Sequence, residues 1–207
     1  MAVDIPTSVG LETITLTGQN SVAYSESPYT YAQQVYSYSN ERWMASVTIP
    51  GVNRGVAEPW VAFLLSLRGP VGTFTLGDPL GATPAGGAKD YTDILTLKAA
   101  VTAGDTSLTL TGATSSVTNY LKAGDYIQIG TADARSLHKV LADASSDGVG
   151  DVLITNLFPA VRTDRTLGTS VVVFDTKGLF RLTSGVSSWT LNNADVYGIS
   201  FEAVEVV

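Results

Sequence analysis

No cysteine occurs among the 207 residues, and histidine occurs once. The first absence excludes disulfides, thiolate metal sites, iron–sulfur clusters and cysteine nucleophiles together, so stability must come from packing. Cations are also scarce: 12 Lys and Arg face 19 Asp and Glu, for a net charge of -7 and a pI near 4.5. Basic residues so few and scattered cannot neutralise a run of phosphates, which argues against gripping nucleic acid. No stretch approaches the roughly 20 apolar residues that span a bilayer, so membrane insertion is not expected. The opening Met1-Ala-Val-Asp-Ile-Pro lacks the basic and apolar regions of a secretory signal, and the expectation is a protein made and kept in the cytoplasm.

What is present is apolar and strand-like. Hydrophobic residues make up 44% and charged residues only 15%, which leaves a surface rich in Thr, Ser, Gly and apolar atoms, of the kind partners cover. Period-two alternation runs through Glu12 to Thr17, Trp43 to Ile49, Ser107 to Thr111, Tyr126 to Ile129, Val152 to Thr155, Ser170 to Phe174 and Gly198 to Val206. The fold class is therefore mainly β. One segment departs from it: Val56, Trp60, Phe63, Leu64 and Leu67 recur at helical spacing before Gly69-Pro70. This predicts an amphipathic helix near 55–68, with Asn53 as a cap and Trp60, Phe63 and Leu67 as its core side chains. Pro59 sits too deep for its missing N–H to be harmless, so the start is open by a turn.

Turn formers crowd the stretch from Gly77 to Asp90, which reads as a loop or boundary. After it, short strands separated by Ala103-Gly-Asp, Ala123-Gly-Asp and Asp147-Gly-Val-Gly-Asp have the spacing of a small β-barrel or sandwich. From Gly178 onward long aromatic strands resume and suit pairing with those near the N-terminus. The expectation is a discontinuous domain of residues 1–82 and 175–207 carrying an inserted β-rich domain at 83–174. No internal repeat is apparent in the sequence.

Candidate chemistry is sparse. His138 lies on a strand beside Lys139, with no marked nucleophile and no Gly-x-Ser-x-Gly motif, and reads as a surface or half-buried strand residue. Asp147-Gly-Val-Gly-Asp151 offers only two carboxylates, and a glycine-rich hairpin turn accounts for it without calcium. Asp78-Pro79 is ordinary turn chemistry. No catalytic, cofactor-binding or metal-binding residue is expected. Tyr24, Tyr29, Tyr31, Tyr36 and Tyr38 crowd one segment among Ser, Gln and Asn; they suit a protein interface, a half-buried sheet or, less well, a sugar site.

The order Trp43-Met-Ala-Ser-Val-Thr-Ile-Pro, Glu58-Pro-Trp-Val-Ala-Phe-Leu-Leu-Ser-Leu-Arg-Gly, Gly72-Thr-Phe-Thr-Leu-Gly-Asp-Pro resembles tail proteins of tailed bacteriophages and prophages. Leu121-Lys-Ala-Gly-Asp-Tyr-Ile-Gln-Ile-Gly, Leu137-His-Lys-Val-Leu-Ala-Asp, Phe158-Pro-Ala-Val-Arg and Tyr197-Gly-Ile-Ser-Phe-Glu-Ala-Val-Glu extend the likeness over nearly the whole chain. Within that group it looks most like the siphophage distal tail or tail-hub family. The resemblance implies a tail-tube-like β-sandwich with one flanking helix, an inserted small barrel on the outside, and a structural role without catalysis. It also implies a homo-hexameric ring that DNA crosses without specific binding. The partners implied are the tail tube, tail hub or tip and tape-measure proteins, in a virion tail assembled in the host cytoplasm. Tyr24, Tyr29, Tyr31, Tyr36, Tyr38, Asp78 and Pro79 are the interface residues expected. A carbohydrate-binding module for host attachment and a tube or nozzle component of a short-tailed phage are the alternatives.

Overall fold

The computed structural model describes residues 2–7, 12–191 and 196–206. A long hairpin, β1 (Thr13–Glu26) and β2 (Gln33–Val52), leads into helix α1 (Arg54–Ser66) and β3 (Phe74–Leu76). Then come β4 (Leu95–Leu97), β5 (Leu108–Thr111), β6 (Tyr126–Ile129), β7 (Ser136–Val140), β8 (Val152–Ile154), β9 (Leu157–Phe158) and β10 (Ser170–Val172). The final strands are β11 (Gly178–Leu182), β12 (Trp189–Leu191) and β13 (Tyr197–Glu205). The fold is mainly β, with α1 the one α-helix among the described residues.

Two antiparallel sheets result. The first has six strands in the order β1-β2-β13-β11-β3, with β12 also on β13, so it draws on both ends of the chain. The second, β8-β5-β4-β10-β6-β7-β9, takes all seven strands from the stretch between and curls into a nearly closed barrel. Alternation dictates the packing. Trp43, Ala45, Val47 and Ile49 of β2 and Tyr197, Ile199, Phe201 and Ala203 of β13 are buried on one face, and α1 covers that face with Ala57, Trp60, Val61, Phe63 and Leu64. Edge-on ring contacts link Trp60 to Phe63 at 6.0 Å, Phe63 to Phe74 at 5.6 Å and Phe74 to Phe201 at 5.9 Å. Burying each such side chain is worth about 1.5–3 kcal/mol.

The helix begins one residue earlier and ends two residues sooner than the 55–68 expected from its apolar spacing. Asn53 caps it, its side chain accepting from Val56 N at 3.4 Å, and Arg54 is the first helical residue. Pro59 lies inside, and the Gly55 carbonyl that would have bonded its N–H sits beside exposed residues where water can replace it. Arg68 and Gly69 turn into left-handed conformation at φ 51° and 67°, so Leu67 is the C-cap and still packs into the core.

Two turns of the barrel are built alike. Thr102-Ala-Gly-Asp105 and Lys122-Ala-Gly-Asp125 form the same turn. In each, the glycine has positive φ (98° at Gly104, 105° at Gly124). The closing aspartate accepts from the first backbone N–H, at 2.7 Å in one and 2.8 Å in the other. A second carboxylate, Asp164 or Asp143, accepts from the alanine N–H at 2.9 Å in both. Asp125 also accepts from Ala85 N at 2.7 Å and Gly86 N at 3.1 Å, pinning the Gly77–Asp90 loop region to the barrel.

Candidate assembly interface

Beyond Leu16 the β1–β2 hairpin leaves the body of the protein. From Thr17 to Asn40 every residue with a described side chain is exposed except half-buried Ser27. Ten residues of β1, Thr17 to Glu26, thus form an arm about 30 Å long. Pairing sets its two faces. Val22 opposes Ser37, Tyr24 opposes Val35 and Glu26 opposes Gln33 on one; Ser21 opposes Tyr38 and Ala23 opposes Tyr36 on the other. At the arm's root the register shifts between Asn20 and Ser21, because Asn20 pairs with Glu41 and Ser21 with Tyr38. Ser39 and Asn40 are the inserted pair, and an insertion of two preserves strand parity. Val22 and Tyr24 therefore continue the face on which Ile14 and Leu16 pack against the core, but past the point where any core remains.

The five tyrosines expected at an interface all lie on this arm. Tyr29 and Tyr31 are at its tip, 92% and 75% exposed, and Tyr24, Tyr36 and Tyr38 stand along its shaft. Tyr31 is held at φ 54°, a costly backbone region for a bulky side chain. Tip bonds from Tyr31 N to the Ser27 carbonyl (2.9 Å) and from Ser27 N to the Ala32 carbonyl (3.0 Å) fix it. Glu26 accepts from the Tyr24 hydroxyl and from Gln33 Nε2; these bonds, the tyrosine's foremost, hold its carboxyl below the ordinary range. A bare two-stranded ribbon is marginal in water, and β1 is an edge strand, one side of it unpaired among the described residues. Asp78 and Pro79 lie elsewhere, between β3 and the barrel, where Asp78 Oδ1 accepts from Leu80 N at 2.9 Å and Leu80 is 97% exposed.

A buried clasp fixes the barrel to the first sheet at the arm's root. Glu205 of β13 accepts from Trp43 N and Leu137 N, both at 3.2 Å, and pairs with Arg162 Nη2 at 2.5 Å. Trp43 Nε1 donates to the Leu137 carbonyl at 3.1 Å, and Ala160 N donates to Glu41 Oε2 at 2.8 Å. The Phe158 ring stands edge-on to Trp43 at 5.1 Å in space that a Cβ on Gly18 would invade at 2.6 Å. Burial pushes the Glu205 carboxyl above its ordinary range, with Arg162 and the two N–H groups pulling the other way.

His138 belongs to this junction, and it is not a surface or half-buried residue: it is fully buried. Nδ1 lies 2.7 Å from the Pro159 carbonyl, which can only accept, so Nδ1 carries the proton; Nε2, 2.8 Å from Ser136 Oγ, then accepts. The neutral ring is fully satisfied by the Ser136 hydroxyl on one side and a backbone carbonyl on the other, and among the described residues no carboxylate is bonded to it. Burial, with Arg162 and Arg165 nearby, pushes its pKa down to about 4. The folded value is below the unfolded one, so the stabilisation is present above pH 6.5 and lost as pH falls towards 4. Urea titrations should show about 3 kcal/mol lost across that window beyond the carboxylates' share, and His138→Gln should flatten that part of the profile. An unchanged profile in the variant would mean that His138 protonates freely in the folded state.

The Asp147–Asp151 loop is a turn. Asp147 Oδ1 accepts from Val149 N and Asp151 N, each at 2.9 Å, Gly150 takes φ 87°, and the Asp151 carboxylate is bonded to Lys98. No protein-family model matches the chain, and no curated protein matches it. Sequence reasoning missed Glu205 and Arg162, although one signal was there: Glu205 occupies the inward register of β13, after Tyr197, Ile199, Phe201 and Ala203. A carboxylate in an apolar register asks for a buried partner.

Proposed function

We propose that this chain is a structural protein of a bacteriophage tail that closes into a ring at the distal tail or hub, forming part of the DNA channel. The arm is the observation that carries the reading. It projects a continued core face, Val22, Tyr24 and Val35, and an opposite face bearing Tyr36 and Tyr38, with nothing among the described residues to cover either. Laid on the next subunit, it would make a heterologous contact, which generates a ring when its rotation closes. The resemblance of the sequence pattern to that of phage tail proteins suggests the setting. The net charge of -7 suits a conduit through which phosphates slide. Tail tube, hub and tape-measure proteins are the proposed neighbours.

Mass photometry with negative-stain imaging tests this. Six chains of 21.7 kDa should appear as an annulus near ~130 kDa. A variant with residues 21–38 replaced by a two-residue turn should remain folded and run as a monomer. If the intact chain is also monomeric at tens of micromolar, self-assembly through the arm is wrong.

A further inference from the structure

The register of the arm carries two costs. At the root Ser39 and Asn40 have no partner on β1, because Asn20 pairs with Glu41 and Ser21 with Tyr38, and an insertion of this kind interrupts the ladder. At the tip Tyr31 is held at φ 54°, a backbone region that a bulky side chain rarely adopts. A buried face ordinarily enforces a register, and strands without one are prone to slippage. The arm has no such face: from Thr17 to Asn40 every residue with a described side chain is exposed except half-buried Ser27.

The root pairs Gln19 with Arg42 and Asn20 with Glu41, and continuing that register along the arm removes the insertion. Ser21 then meets Asn40, Tyr24 meets Ser37 and Glu26 meets Val35, and Ser27 and Pro28 join the ladder opposite Gln34 and Gln33. The turn shortens to Tyr29-Thr30-Tyr31-Ala32, a common hairpin length, and the bond from Tyr31 N to the Ser27 carbonyl that belongs to the longer turn is given up. A shift of two residues leaves every side chain on its own face, so Val22, Tyr24 and Val35 stay together. What favours the register in place is local to the tip: Glu26 accepts from the Tyr24 hydroxyl and from Gln33 Nε2, and Ser27 N donates to the Ala32 carbonyl at 3.0 Å. These are a few exposed bonds, each of small net worth, set against a longer and uninterrupted ladder.

We propose that the arm is a sliding ribbon with two registers, in which β2 moves by two residues, about 7 Å, along β1 and carries Tyr36 and Tyr38 past Tyr24. The arm thereby offers its tyrosines in two spacings, and a partner that fits one of them selects that register. The slide does not depend on the ring reading and would occur equally in a monomer.

Because the chain has no cysteine, introduced cysteine pairs report the register directly. Val22→Cys/Ser37→Cys is directly opposed in the register in place, Tyr24→Cys/Ser37→Cys only in the slid one, and Val22→Cys/Val35→Cys in neither. The last two are diagonal neighbours in the register in place, about 7–8 Å apart and beyond the reach of a disulfide. All four positions are exposed, so folding should survive. The full-length variants are oxidised with glutathione disulfide and closure is followed by thiol alkylation and mass spectrometry. The first pair should close completely, and the second should close about tenfold faster than the third, which the slide moves further apart. Equal rates for the second and third pairs would mean that the ribbon frays instead of sliding, and a second pair that stays open would mean a single register; either result overturns the proposal.

Discussion

Glu205→Ala is expected to cost about 3–5 kcal/mol of folding stability, because it strands the Arg162 guanidinium in a dry junction. The carboxylate is 1% exposed and the guanidinium 9%, so neither charge can turn to water. The substitution also frees Trp43 N and Leu137 N, the two backbone donors that Glu205 joins across the sheets. Urea unfolding should show the loss, and limited proteolysis should find the junction around residues 158–165 newly open. Replacing both partners, Glu205→Leu with Arg162→Met, should recover much of it, since removing both charges removes the desolvation cost along with the attraction. A single substitution costing less than ~1 kcal/mol would show that the Arg162 guanidinium reaches water or another partner once Glu205 is gone.

Trp60→Ala should be as severe, at about 3–5 kcal/mol, enough to unfold the first-sheet core if the protein has ordinary stability. Trp60 is 0% exposed and sits against Phe63 where α1 meets the sheet, so truncation leaves a cavity between rigid neighbours. Its indole Nε1, however, has no hydrogen-bond partner among the described residues. Trp60→Phe removes that orphan donor along with some volume, and it should cost far less than Trp60→Ala in the same thermal melts. Equal costs for the two would mean that the indole N–H contributes a bond of its own.

The sequence revealed what alternation and spacing can carry. The inward register of β2 and β13, the helix with its Asn53 cap and its Trp60, Phe63 and Leu67 face, and the short strands between turn signals were all readable, because burial of one face imposes a period. The barrel turns were readable from their Ala-Gly-Asp residues, but their bonds to aspartates 20 and 61 residues away were not. The clasp was hidden for the same reason: Glu205 and Arg162 are 43 residues apart, and pairing between distant residues leaves no local period. The tyrosine cluster was visible, but its exposure was not. A half-buried strand and an unsupported ribbon use the same residues, and only the extent of β1 and β2 beyond the core separates them.

Sheet topology also sets an order of events during synthesis. Every strand of the barrel lies between Leu95 and Val172, so the barrel can close while translation continues. The first sheet cannot, because β2 finds its neighbour in β13, with Ala45 pairing with Ala203. Until β13 emerges, the apolar faces of β2 and α1 and the tyrosine-bearing arm are all uncovered on a nascent chain, the stage at which strand edges invite stray pairing. β13, made after the barrel, therefore both joins β2 in the first sheet and delivers Glu205 to the junction, so docking of the barrel must follow its synthesis.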